Sequence, residues 1–196
     1  LYPHLIMQYN ISPETLVADE KVKNMSVEKL LNKEVDTSIL KDATMTPNGA
    51  LFKTTQKGFL PELMQKMYDD RVKFKQLMIE AQKDYEKTKD PKLQKTIAKF
   101  NNIQMAKKIS LNSAYGAIGN VWFRYYNLLV AEAITTSGQL AIRYIEHTLN
   151  QYLNKILNTR GEDYIIASDT DSVYITFDNL VSKVFVSDTD DNKIVE

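Results

Sequence analysis

The sequence predicts an α+β fold in which a long antiparallel pair of helices is joined to segments with short antiparallel strands. Apolar residues recur at close to helical spacing from Leu60 to Tyr85. Lys89-Asp90-Pro91 interrupts that pattern, and a second helical pattern follows it. Further along, the β-branched and aromatic runs 164–167 and 173–177 enclose a tight turn at SDTDS, which predicts a β-hairpin.

Composition limits the class of protein. With 196 residues, of which 43% are hydrophobic, the chain can fill one or two compact units. No long apolar run or signal-peptide pattern occurs, so we expect a soluble intracellular protein with no membrane partner. The absence of cysteine excludes disulfides and thiolate metal sites, and only His4 and His147 supply imidazole. Any metal must therefore be held mainly by oxygen, which indicates magnesium, manganese or calcium.

Charge is unevenly distributed although the formal net charge is zero. Residues 53–108 hold 14 lysines and arginines against 7 acids, whereas residues 109–196 hold 6 against 11. A basic arm joined to a more acidic part of the chain indicates an arm that binds phosphate groups next to a surface that binds metal. The alternative is a lysine-rich helical face that is simply solvated.

The N-terminal elements are predicted from local signals. Leu1-Tyr2-Pro3 reads as the exit from a strand, and Ser12-Pro13 as an N-cap followed by proline at the first helical position. Residues 19–40 are polar and weakly periodic, which indicates surface elaboration. Asn48-Gly49 predicts a hairpin turn.

The long helices follow. One is predicted from Pro61 to about Lys87 and the next from Lys92 to about Asn120, each about 40 Å long. The aromatic run at 122–126 is expected mainly to pack rather than to stack on nucleic acid. A further helix is predicted over 131–157, and its expected buried side is Leu140, Ile145, Leu149, Tyr152, Leu153 and Ile156. A second DTD at 188–190 reads as a solvated loop, since no strand-like runs enclose it.

One helical stretch, KKISLNSAYGAIG at 107–119, places four residues in a single arc of about 60°. They are Lys108, Asn112, Tyr115 and Gly119. A cation, an amide and an aromatic ring, with glycines beside them, indicate a face that binds a nucleotide. The alternative is a surface helix whose polar side chains are simply solvated. The acids of SDTDS, Asp169 and Asp171, by themselves indicate either ordinary turn chemistry or a loose calcium site.

Together, K-x-x-x-N-S-x-Y-G on a helix and D-T-D-S on a hairpin resemble the second and third motifs of family B DNA polymerases. Leu1-Tyr2-Pro3 is similar to the tail of that family's first motif, D-x-x-S-L-Y-P. Within the family, NVWFRYYNL and AITTSGQLA are most similar to the replicative polymerases of T-even-like bacteriophages. Two departures stand out: the leading aspartate would precede Leu1, and Ala167-Ser168 replaces the usual aromatic residue and glycine.

The resemblance implies a site made from three segments. It implies that Asp171, Asp169 and Lys108 are catalytic, with Asp171 and Asp169 holding two Mg²⁺ ions that Mn²⁺ can replace. The residues implied for nucleotide binding are Leu1, Tyr2, Arg71, Lys108, Asn112, Tyr115 and Gly116. Arg71 and Lys108 would lie on the triphosphate, and the Tyr2 ring would lie under the sugar, where it would exclude a ribose 2′-hydroxyl.

The resemblance also implies the domains and partners. Residues 1–60 and 121–196 would form parts of the palm, with its antiparallel sheet, and residues 61–120 would form the fingers. Primer–template DNA and dNTPs would bind, with a sliding clamp for the full-length protein, in the cytoplasm of the host. We expect the chain alone not to extend a primer. The alternative function is a non-catalytic nucleic-acid-binding module, a basic helical hairpin with a structural metal turn.

Overall fold

The computed structural model describes residues 1–17, 22–38 and 40–184, and their fold is α+β as predicted. Those residues form six α-helices, a 3₁₀ turn and two separate two-stranded antiparallel sheets. The chain divides into two compact units, Leu1–Ser137 and Gly138–Glu196. The three-part division of the sequence into palm and fingers segments remains a prediction.

The first unit begins with helix α1, Tyr2–Gln8, where a strand exit was expected. That expectation was wrong. Pro3 lies in the first helical turn, where a backbone N–H has no intrahelical partner, so the lack of an N–H in proline does not prevent a helix from starting here. A 3₁₀ turn follows at Pro13–Thr15, with Ser12 as its N-cap and proline next, as predicted. Helix α2, Val27–Leu31, lies in the segment that was expected to be surface elaboration.

The predicted Asn-Gly hairpin is confirmed. Strand β1, Ala43–Met45, pairs antiparallel with β2, Leu51–Lys53. Gly49 has φ +86°, and a Cβ added to it would lie only 2.5 Å from the Val22 carbonyl oxygen. Glycine is therefore required there both for the backbone conformation and for the close approach.

The two long helices are α3, Phe59–Thr88, and α4, Pro91–Ile118, close to their predicted bounds. At 1.5 Å per residue they are about 45 and 42 Å long. Lys89 ends α3 in the left-handed conformation, and the Asp90 side chain caps α4 by accepting a hydrogen bond from the Lys92 amide at 2.9 Å. The break predicted at Lys89-Asp90-Pro91 is therefore confirmed.

The core of the first unit lies at the base of this helical pair. It comprises Ile6, Ile11, Ala50, Phe52, Leu60, Met64, Leu111, Ile118, Val130, Ala131, Ala133 and Ile134. Beyond that base, α3 and α4 touch through smaller contacts, such as the Phe74–Phe100 ring pair and the Gln94–Tyr85 hydrogen bond. The pair is therefore anchored at one end by buried apolar area and is thin along the rest of its length.

The second unit contains the C-terminal part of helix α5, Leu128–Leu157, with strands β3, Ile165–Asp169, and β4, Ser172–Ile175, and helix α6, Asp178–Val184. Asn150 fixes the loop before β3 by accepting from the Tyr164 amide at 2.9 Å and donating to Asp163 at 2.8 Å.

Burial along α5 differs from the prediction. Leu153 is buried, but Ile145, Tyr152 and Ile156 are exposed. Helical spacing identifies an apolar stripe but does not specify how much of that stripe neighbouring residues cover. In α5 they cover only a narrow part of it. None of the helices in the described ranges is both long and apolar enough to cross a membrane.

Candidate active site

Helix α4 presents the predicted polar face at its C-terminal end. Lys108, Asn112 and Gly116 are exposed and Tyr115 is partly buried, whereas Leu111 and Ile118 on the other side are in the core. A Cβ added to Gly116 would meet no atom of the described residues within 4 Å. The packing of those residues therefore does not require glycine there, and the space that they leave beside it is open to a ligand.

Tyr2 of α1 contacts this face directly. Its ring centroid lies 4.7 Å from that of Tyr115, with the planes tilted by 41°. His4, on the same short helix, contacts Tyr68 of α3 edge-on at 4.7 Å. Helix α1 is thereby placed against both long helices, which brings together the Leu-Tyr-Pro segment and the Asn-Ser-x-Tyr-Gly segment, more than a hundred residues apart in sequence.

A cross-helix ion pair links α3 to α4. Lys107 Nζ lies 2.7 Å from Asp70 Oδ2. The hydrogen bond from Lys107, together with its charge, lowers the pKa of the Asp70 carboxyl below its usual value. The neighbours of this pair are Arg71 and Lys108, so the two predicted phosphate ligands lie at the same level of the helical pair.

Arg71 and Lys108 differ in surroundings. Lys108 is exposed and has no ion pair among the described residues. Arg71 is half-buried, and its Nε is buried without a hydrogen-bond partner in the part of the chain that the structure describes. Buried donors are normally paired, so this guanidinium is well suited to an anionic ligand.

The Asp70–Lys107 pair was not predicted, although the sequence contains a signal for it. The two residues lie at similar distances before and after the break at Lys89-Asp90, so an antiparallel return places them opposite each other.

The hairpin at SDTDS forms as predicted. Asp169 ends β3 and pairs with Ser172, so that Thr170 and Asp171 make a two-residue turn in which Thr170 has φ +26°. The Thr170 hydroxyl donates to Asp169 Oδ1 at 3.0 Å. Ala167 and Ser168, which depart from the family's pattern, pair regularly with β4, and the register shift lies between Ile165 and Ala167.

The two hairpin acids have the chemistry of a hard-cation site but do not complete one. Asp169 and Asp171 are exposed and offer carboxylate oxygens, the ligands that Mg²⁺ and Mn²⁺ prefer. Within the described ranges no group of three or more His, Asp or Glu side chains is suitably arranged for a metal. The acids therefore fit part of a ligand set. The second DTD, at 188–190, lies outside the described residues.

The aromatic run after α4 was expected mainly to pack. Phe123 packs against the core, and Tyr125 contacts Phe59 with ring centroids 5.1 Å apart. Trp122 is 92% exposed, so for this residue the expectation was wrong. A tight turn, in which the Asn120 side chain accepts from the Trp122 amide at 3.0 Å, directs the chain away from the core at this position.

Comparisons with known proteins bear on the family of this chain. The model of DNA polymerase family B matches residues 1–187. The chain is 32% identical to the DNA-directed DNA polymerases of Escherichia phage RB69 and Enterobacteria phage T4, over 94% of its length and 25% of theirs. It is 31% identical to the DNA polymerase delta catalytic subunit of Arabidopsis thaliana, over 90% of its length and 14% of that subunit.

A solved structure also matches. The family B DNA polymerase of the hyperthermophilic archaeon Pyrobaculum calidifontis superposes with a TM-score of 0.58 at 24% identity, over 93% of this chain and 20% of that one. At this identity the match supports the fold alone. The chain spans about a quarter of the length of the phage relatives.

Proposed function

Because this chain belongs to DNA polymerase family B, we propose that it forms part of a DNA-templated DNA polymerase that adds dNTPs to a primer 3′-hydroxyl. The observation that carries the proposal is the ring contact between Tyr2 and Tyr115. It joins two separate polymerase-like motifs on one surface, which a generic nucleic-acid-binding hairpin does not need. The similarity to the phage enzymes extends the proposal to phage DNA replication in a host cytoplasm.

Within this proposal, residues 61–120 are the fingers and residues 1–60 and 121–196 are parts of the palm. Primer–template DNA lies against them, with a sliding clamp as a partner of the whole protein. The lysine and arginine excess along 53–108 suits the charge of the nucleic acid and the triphosphate. The direct test is template-dependent primer extension by an intact polymerase that carries this segment.

The nucleotide-binding face has a division of roles. Arg71 and Lys108 bind the triphosphate, and their charge stabilises the pyrophosphate as it departs. Asn112, Tyr115 and Gly116 line the nascent base pair, where the open space beside Gly116 allows close approach. The backbone amides of Leu1 and Tyr2 contact the triphosphate, while the Tyr2 ring lies under the sugar.

Asp169 and Asp171 are the proposed holders of two Mg²⁺ ions, for which Mn²⁺ can substitute. When bound, such ions activate the attacking hydroxyl and neutralise charge on the departing pyrophosphate. What the chain itself contributes is a tight turn that carries two carboxylates two residues apart in sequence. The Thr170 hydroxyl holds one oxygen of Asp169, and no hydrogen bond or ion pair engages the Asp171 side chain within the described residues.

We expect metal binding by the hairpin to be detectable on the chain itself. Two like charges on one turn repel, and a divalent cation relieves that repulsion. Mn²⁺ at about ten times its Kd should stabilise the folded chain by about 1.4 kcal/mol and raise its Tm. In NMR spectra Mn²⁺ should broaden the signals of residues 167–173 before others, and Asp171→Asn should remove the effect. Uniform broadening, or none, would count against a metal site here.

Tyr2→Val should weaken discrimination against ribonucleotides in an intact polymerase. The ring acts by overlap with a 2′-hydroxyl, and relief of an overlap worth about 1–3 kcal/mol corresponds to a factor of about 5 to 150. The ratio of ribonucleotide to deoxyribonucleotide incorporation should therefore rise by about that factor. Tyr144→Val, at an exposed tyrosine of α5, is the matched control. Unchanged sugar discrimination in Tyr2→Val would remove Tyr2 from the site.

A further inference from the structure

The beginning of α3 is capped by residues far away in sequence. Its own N-cap is Gly58, which has no side chain to offer. Instead, the Phe59 amide donates to Glu14 Oε1 at 2.6 Å and the Leu60 amide donates to Ser12 Oγ at 3.4 Å. The Ser12 hydroxyl in turn donates to Glu14 Oε2 at 2.6 Å, which holds the carboxylate in place.

Asn10 binds the segment that leads into this helix. Its side-chain amide donates to the carbonyls of Lys53, at 2.6 Å, and Gln56, at 2.8 Å, and its oxygen accepts from the Gly58 amide at 2.9 Å. Asn10 adopts φ +55°, a conformation that asparagine tolerates better than most residues. A Cβ added to Gly58 would lie 2.6 Å from Ser12 Cβ, so the two segments are in close contact. We call Asn10, Ser12 and Glu14 the α3 clamp.

The clamp connects two parts of the proposed nucleotide site. It follows α1, which carries Tyr2, and it holds the base of α3, which carries Arg71 twelve residues beyond Phe59. Apolar contacts at that base are non-directional, whereas these hydrogen bonds fix an orientation. Arg71 lies about 18 Å along the helix, so a tilt of about 3° at its base displaces Arg71 by about 1 Å.

We propose that the α3 clamp is a positioning device, which sets the helix that carries Arg71 against the helix that carries Tyr2 and so sets dNTP affinity. This inference rests on the proposed function. Misplacement by about 1 Å can reduce the rate of a reaction by about 100-fold. Because the proposed role of Arg71 is to bind the triphosphate before reaction, a looser α3 clamp should raise the dNTP KM.

The test uses an intact polymerase that carries this segment, at a temperature where circular dichroism finds every variant folded. Glu14→Ala and Asn10→Gly should each raise dNTP KM about tenfold and change kcat less than about threefold, with unchanged primer–template affinity. Asn10→Gly permits the same backbone conformation and removes the side-chain hydrogen bonds. Glu14→Gln, which keeps the acceptor for the Phe59 amide, should restore KM nearly to that of the parent.

Glu62→Ala is the matched control. It removes an acid from the same first turn of α3, at an exposed position, without touching the clamp. The proposal would be overturned if Glu14→Ala and Asn10→Gly had the same dNTP KM as Glu62→Ala, whether all three values were unchanged or all three rose equally. If Glu14→Ala does not fold, Asn10→Gly and Ser12→Ala decide in the same assay.

Lys108→Ala distinguishes failure of the clamp from failure of the proposed function. A dNTP KM that rises in Lys108→Ala but not in the variants of the α3 clamp would overturn only the proposed role of the α3 clamp. A dNTP KM that rises in neither would overturn the nucleotide-binding face as well.

Discussion

In an intact polymerase that carries this segment, Asp171→Asn should lower kcat by about 1,000-fold or more, with primer–template affinity nearly unchanged. Asparagine keeps the size of aspartate and one oxygen, but it loses the charge that holds a hard cation. The turn should survive the substitution, because no hydrogen bond within the described residues depends on the Asp171 carboxylate. Single-turnover primer extension measures the loss, and a filter-binding or anisotropy titration measures DNA affinity.

Asp178→Asn is the control for this prediction. It removes one negative charge from an exposed acid at the start of α6, a few residues beyond the hairpin. We expect its kcat to stay within about twofold of the parent, since surface substitutions of this kind have small effects. An Asp171→Asn enzyme that extends primers as fast as Asp178→Asn would contradict the assignment of the hairpin as the metal site.

Lys108→Ala should reduce kcat/KM for dNTPs by about 100- to 1,000-fold. A cation on a phosphate that gains charge in the transition state contributes several kcal/mol, whereas loss of one contact to the DNA backbone costs far less. Binding of duplex DNA should therefore change little. The measurement is steady-state incorporation of a single dNTP, with duplex affinity determined in parallel.

Lys99→Ala provides a matched cation. Lys99 is exposed on the same helix and, at 100° per residue, lies on the face opposite Lys108. We expect its kcat/KM to remain near the parent's. The assigned role of Lys108 would be refuted by a Lys108→Ala enzyme that loses DNA affinity and dNTP use to the same extent.

The parts of the fold that were predictable are those that local chemistry determines. Pro91 and the residues before it mark the break between α3 and α4, and Asn48-Gly49 marks the first hairpin. The D-T-D-S hairpin is defined by strand-forming runs on both sides of a two-residue turn. In each case neighbours in sequence supply both the stop signal and the hydrogen-bond partners.

The parts that were not predictable depend on distant partners. Tyr2-Pro3 begins a helix because α1 packs against α3 and α4, which the first residues alone do not reveal. The capping of Phe59 by Glu14 spans 45 residues of sequence, so no capping pattern near Gly58 could indicate it. Likewise, Ile145 and Tyr152 continue the apolar stripe of α5 but are exposed. The apolar pattern could not predict this, because it does not specify how much of the stripe other residues cover.

The single-turnover rate of incorporation, measured as a function of dNTP concentration, separates the proposed nucleotide-binding face from the proposed metal-binding turn. We assign nucleotide affinity to the face that carries Lys108 and catalysis to the turn that carries Asp171. Lys108→Ala should therefore move the midpoint of the curve to higher dNTP concentration and also lower its plateau. Asp171→Asn should lower the plateau and leave the midpoint in place. A midpoint that does not move in Lys108→Ala would refute the role of Lys108 in nucleotide binding, and a plateau that does not fall in Asp171→Asn would refute the role of Asp171 in catalysis.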